Sequence, residues 1–254
     1  WNQTLAHRYD EAWAELQAND NPGYRAAFLG VWLRVREHGD LGRLAGEMDA
    51  LYEEYGEAVA VEDRLYASLV NREFEVAETL MNEMPVPEKG RGWRAVLIPD
   101  NTLYEMELRW FLGQDDLLAR LVSDTRARVA EYVPIGSVKD SRVLLVSAML
   151  TALEGETAET ERLIRRWNRL ESTDWPERVH NRDWSCQILG MAGAADSGVE
   201  CIRTGLEQPS RVMHYLEPML PYYDPIRGDP AFVELQDELR AGEQASSGTV
   251  ERPQ

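Results

Sequence analysis

The sharpest pair of chemistry-bearing residues is Cys186 and Cys201, which lie almost symmetrically about the Gly193-Ala194 break. If an antiparallel helix pair turns there, the two thiols face each other. Facing helices usually hold their axes about 8–10 Å apart, so either a disulfide or two buried thiols fits the spacing. A bridge would point to an oxidising compartment such as the periplasm. The histidines, His7, His38, His180 and His214, form no ligand spacing with one another or with carboxylates. Neither HExxH nor CxxC occurs, so no metal site is expected. Adjacent acids such as Glu53-Glu54 and Asp115-Asp116 point in different directions on a helix, whereas acid–base catalysis needs two carboxylates brought together in a cleft. No nucleophile elbow or nucleotide-binding loop occurs, and Gly90-Arg91-Gly92-Trp93-Arg94 lacks the Lys-Ser/Thr that a phosphate loop requires. No catalytic residue and no cofactor is therefore expected. Arg91, Trp93, Arg94, Tyr104, Arg109 and Trp110 mix guanidinium and aromatic groups, the composition of binding hot spots. They are the candidate contact residues for a protein or peptide partner.

These residues must be positioned by helices. Val61, Leu65 and Leu69 recur every four residues, and Phe74, Ala77, Met81 and Met84 follow a mixed three-and-four spacing. Leu117, Leu118, Leu121, Val122 and Val129, then Leu163, Ile164 and Trp167, then Val199, Ile202 and Leu206 repeat the pattern. Each set predicts one apolar stripe with a charged opposite face, and period-two alternation is nearly absent. The fold class expected is all-α. Short polar breaks at Gly39-Asp40, 71–73, 113–115, 155–157 and 193–196 separate the stripes and force antiparallel hairpins. Gly113, Gly155 and Gly193 lie 42 and 38 residues apart, the period of a helical-hairpin array. A single hairpin cannot bury both faces, so neighbours must stack into an α-solenoid of roughly five or six hairpins. We expect one helical-repeat domain over 1–240, least repeat-like over 1–56, with hairpin repeats over 57–240 and a closing helix over 229–240. Residues 85–99 form a long connection, and 241–254 read as a flexible tail.

The composition narrows the partners. Forty-five acidic against 27 basic residues give a net charge of −18, which repels nucleic-acid phosphates and anionic lipid surfaces. No apolar run reaches the roughly 20 residues of a membrane helix. Opening on Trp1, the chain reads as a piece or mature form of a longer product. A protein or peptide partner, a small ligand and a second copy of the chain all remain open.

The stretch Leu216 to Leu239 is the most informative. Asp224-Pro225 and Asp229-Pro230 read as two successive helix starts, each with an Asp cap and a Pro at the first helical position. Phe232, Leu235 and Leu239 then make the apolar face of a last helix. The run Pro225-Ile226-Arg227-Gly228-Asp229-Pro230-Ala231-Phe232 is similar to the Pro-Leu-Arg-x-Asp-Pro-x-Phe type run that closes tetratricopeptide-like regions of bacterial signalling proteins. Those proteins carry an adenylate cyclase, a winged-helix DNA-binding domain or a Ser/Thr kinase ahead of the repeats. The resemblance implies a non-catalytic interaction module in signalling or transcription regulation, periplasmic where a winged helix and membrane span precede it and cytoplasmic otherwise. An all-α enzyme with an acidic cleft, and a free-standing periplasmic scaffold, are the alternatives.

Overall fold

The computed structural model describes residues 8–18, 23–38, 41–56, 61–84, 100–132, 141–169, 175–208, 210, 212 and 216–247. Among these residues the chain is all-helical, with no strand. The α-helices are α1 (Tyr9–Gln17), α2 (Tyr24–His38), α3 (Leu44–Tyr55), α4 (Val61–Val70), α5 (Phe74–Glu83) and α6 (Asp100–Phe111). They continue with α7 (Asp115–Tyr132), α8 (Ser141–Leu153), α9 (Thr157–Arg169), α10 (Trp175–Met191), α11 (Ala195–Glu207) and α12 (Pro230–Ser247). Two 3₁₀ turns, Glu217–Met219 and Pro221–Ile226, lie between α11 and α12.

Sequential pairs pack together: α2 on α3, α4 on α5, α6 on α7, α8 on α9 and α10 on α11. Each pair also meets the next, through α3–α4, α5–α6, α7–α8 and α9–α10, while α12 covers α11. The stripes read from the sequence are the buried faces. Leu65, Leu69, Ala77, Leu118, Val122, Leu163, Ile164, Trp167, Val199 and Ile202 are all buried. Leu117 departs from this and stays exposed at the start of α7. The apolar run in α8 is buried on all sides, from Val143 to Val146 and from Ala148 to Leu150, because hairpins cover it front and back.

Four of the hairpins turn in one way. The amide of Gly113 donates to the Trp110 carbonyl and that of Gln114 to Arg109. The same pair of bonds recurs at Gly155 and Glu156, at Gly193 and Ala194, and at Arg72 and Glu73. This is the left-handed helix ending that satisfies the last carbonyls of the first helix. The φ values are 62° at Gly113, 75° at Gly155, 72° at Gly193 and 64° at Arg72. Arg72 is the non-glycine member, in a conformation that costs an L-residue about 1–2 kcal/mol. Gly155→Ala should therefore lower the unfolding free energy by about 1–2 kcal/mol. Gly46→Ala, within α3 and with open space around its Cα, should raise it by about 0.5–1 kcal/mol. Urea denaturation of the two variants checks both signs.

Two expectations need correction. Asp224-Pro225 does not open a helix: both residues lie inside the 3₁₀ turn Pro221–Ile226, and the Asp224 carboxylate is taken by Arg72 and Arg227. Asp229 does cap α12, accepting the Ala231 amide at 2.9 Å. The tail does not begin at 241, because α12 continues to Ser247 through Ala241, Glu243, Gln244 and Ala245, all good helix formers. The Gly39-Asp40 break, the 85–99 connection and residues 248–254 lie outside the described residues.

Candidate functional site

Arg91, Trp93 and Arg94 lie outside the described residues, whereas Tyr104, Arg109 and Trp110 sit on α6. Tyr104 packs against the cluster of Leu65, Leu69, Ala77, Leu80 and Leu108. The Arg109 side chain is only 14% exposed and ties α6 to α5: Nη1 donates to Glu78 Oε1 at 2.6 Å and to Gln114 Oε1 at 2.9 Å. Trp110 meets Phe111 at 4.9 Å between ring centroids. Phe111 in turn stacks on Phe74 at 5.4 Å and meets Tyr222 at 5.3 Å. Tyr104 and Arg109 therefore tie α6 to α4 and α5, and Phe111, beside Trp110, carries the contact to Tyr222. The exposed apolar residues nearby are Val76, Leu112 and Leu117, on α5, the α6–α7 turn and α7.

A different set of polar groups converges where the chain returns on itself. Residues 216–227, a strap of 3₁₀ turns, cross α10 and reach back to α6 and the α4–α5 turn. Tyr222 and Tyr223 are almost wholly buried, at 1% and 0% exposure. The Tyr222 hydroxyl donates to Glu107 Oε2 on α6 at 3.1 Å. The Tyr223 hydroxyl donates to Glu217 Oε1 at 2.6 Å, and Gln187 Nε2 of α10 donates to the same oxygen at 3.3 Å. Glu107 and Glu217 are themselves buried, and a buried carboxylate is tolerated only when such donors replace its water.

The phenols stay protonated in return. Burial, then the Glu107 charge, pushes the Tyr222 hydroxyl well above its ordinary value of 10, and burial followed by Glu217 does the same for Tyr223. Tyr66 on α4 is raised as well, by burial and then by Glu217, Asp183 and Glu107. Below pH 10 these phenols are neutral in both folded and unfolded chains. Above it the unfolded chain ionises first, so stability falls as pH rises towards the folded values. For Tyr222 and Tyr223 together the slope should approach about 3 kcal/mol per pH unit. Urea midpoints between pH 9 and 11 should show this loss, and Tyr222→Phe/Tyr223→Phe should flatten it.

Glycines make the seat. A Cβ on Gly190 of α10 would stand 2.5 Å from Tyr223 Cδ1 and 2.9 Å from the Tyr222 carbonyl oxygen. One on Gly198 of α11 would stand 3.3 Å from Ile226 Cδ1 and 3.9 Å from the Gly190 amide nitrogen. The two helices thus cross at bare backbone, closer than larger side chains would permit. That closeness explains the cysteines: Cys186 and Cys201 are joined by a disulfide, with their Cα atoms 5.3 Å apart.

At its outer edge the strap is held by charge. Arg72 Nη1 and Nη2 fork Asp224 Oδ2 and Oδ1 at 2.6 and 2.7 Å across 152 residues of sequence. Arg227 Nε donates to Asp224 Oδ1, and its terminal nitrogens reach the Pro218 and Leu220 carbonyls at 2.9 Å. Burial alone would raise the Asp224 carboxyl, but the two guanidinium groups hold it below the usual carboxylate range. The α4–α5 turn thus carries Arg72 where its three counterparts carry glycine, and the side chain that glycine would lack is what grips the strap.

Among the described residues no group of three or more His, Cys, Asp or Glu is placed to hold a metal ion, and no helix is long and apolar enough to cross a membrane. What the arrangement does chemically is replace water around two buried carboxylates with phenol and amide donors. No family model, curated protein or solved structure matches the chain.

Proposed function

We propose that the chain is a non-catalytic, tetratricopeptide-like helical-repeat module, a right-handed superhelical stack, that binds a protein or peptide on behalf of a larger bacterial signalling or regulatory protein. The observation that carries this reading is one left-handed turn recurring at Arg72, Gly113, Gly155 and Gly193, at intervals of 41, 42 and 38 residues. Arrays of that period serve as binding surfaces. The strap covers α10 and reaches α6 and the α4–α5 turn, so we place the partner elsewhere. The surface proposed is the α6–α7 end, where Leu112 and Leu117 are 37% and 41% exposed; Arg91, Trp93 and Arg94 are proposed as further contact residues on their composition alone. The disulfide accords with an oxidising compartment, and we assign the module to the periplasm in preference to the cytoplasm.

One observation favours an all-α enzyme instead, namely that Glu107 and Glu217 are buried beside tyrosines. Against it, phenols of the chain's own strap donate to both carboxylates and fill the space a substrate would need.

Selection of displayed peptides on the purified chain, followed by fluorescence polarisation, tests the proposal. Trp93→Ala and Leu117→Glu should each weaken the selected peptides by about ten-fold or more, as loss of a contact hot spot does. Peptides indifferent to both substitutions would overturn the placement. Turnover of a glycoside or ester panel that disappears in Glu107→Gln would overturn the non-catalytic reading.

A further inference from the structure

The strap and the disulfide share a seat. Gly190 lies one helical turn beyond Cys186 on α10, and Gly198 lies three residues before Cys201 on α11. Tyr223 and Ile226 rest on the two glycines, at separations that leave no room for a Cβ on Gly190 and little on Gly198. The bridge fixes α10 against α11 just where their spacing sets the fit of the strap. Gln187, next to Cys186 on the same helix, donates to Glu217 of the strap, whereas the ties of Tyr222 to Glu107 and of Asp224 to Arg72 go to other elements.

We infer that the Cys186–Cys201 disulfide is a redox-sensitive lock on the 216–227 strap: reducing it loosens the strap in preference to the rest of the array and uncovers the Glu107 face of α6. The reductant is a dithiol. Its thiolate attacks the sulfur of Cys201, which is 8% exposed against 0% for Cys186, and forms a mixed disulfide. Cys186 leaves as a thiolate and takes up a proton. The dithiol's second sulfur then closes on its first, releasing Cys201 as a thiol and carrying away the two electron equivalents as a cyclic disulfide. This coupling rests on the shared seat alone and stands whether or not a partner binds the α6–α7 end.

Linkage makes the coupling reciprocal: whatever stability the bridge gives the strap, the strap gives the bridge. The test uses the full chain in native buffer, oxidised or reduced with dithiothreitol, with free thiols confirmed by alkylation and mass. The amides of Met219, Leu220, Tyr223 and Arg227 report the strap's own turns. Their hydrogen exchange should accelerate about ten-fold or more on reduction, while α8 and α9 change by less than about two-fold, the signature of sub-global opening. Equal acceleration everywhere, or an unchanged strap in the fully reduced chain, would overturn the inference. The reverse arm titrates the bridge. Ile226→Ala should lower the dithiothreitol concentration at half-reduction by about ten-fold, while Leu163→Ala, a comparable cavity in α9, should leave it unchanged. A midpoint that ignores Ile226→Ala, or that moves equally for both variants, sinks the idea even if the reduced wild-type chain proves hard to hold folded.

Discussion

Tyr223→Ala is expected to lower the unfolding free energy by about 3–5 kcal/mol, the range for removing a fully buried aromatic side chain. The ring is wholly buried, stacks on Phe232 of α12 at 5.6 Å between centroids, and sits against the bare backbone of Gly190. Neither neighbour can collapse into the space, since one is held by α12 and the other is main chain. Tyr223→Phe separates the ring from its hydroxyl. It keeps the packing and leaves Glu217 with one donor fewer, at a cost of about 1–3 kcal/mol. Urea unfolding should show both midpoints lowered, alanine more than phenylalanine, with the m-value unchanged. Equal losses would mean that the carboxylate, and not the packing, dominates the seat.

Loss of the disulfide is the second large effect. Closing a loop of 15 residues removes unfolded-state entropy worth about 3 kcal/mol. For a chain of this size that corresponds to a fall in Tm of about 10 °C. Cys186→Ala/Cys201→Ala is a cleaner test than serine, because Cys186 is fully buried and a hydroxyl there would need a partner. Calorimetry of wild type in dithiothreitol should approach the double-alanine value, and dithiothreitol should leave the variant unmoved. A change of less than about 1 kcal/mol would mean that the short α10–α11 turn already constrains the unfolded chain.

Legibility in the sequence followed the range of the interactions. Helix periods and turn glycines act within a few residues, so the hairpins from α4 to α11 and the facing of Cys186 and Cys201 could be read directly. Arg72 could not, because nothing local distinguishes it from an ordinary turn residue. Its left-handed backbone makes sense only with Asp224, 152 residues away. Glu107 was hidden for the same reason: its donor, Tyr222, is 115 residues distant. Asp224-Pro225 carries a valid local signal for a helix start, yet the carboxylate that would cap is consumed by two guanidinium groups. The aromatic and guanidinium composition around α6 was also real, but composition does not say whether an arginine faces a partner or, like Arg109, a glutamate on the neighbouring helix.

The central claim is that residues 216–227 fold back onto α6 and close the array, and a double-mutant cycle between Tyr222 and Glu107 tests it most directly. Tyr222→Phe, Glu107→Gln and the double variant would be compared with wild type by urea unfolding. A phenol–carboxylate bond buried at the strap's seat predicts a coupling energy of about 1–2 kcal/mol across those 115 residues. Additive single effects, within about 0.3 kcal/mol, would mean that the strap does not lie on α6.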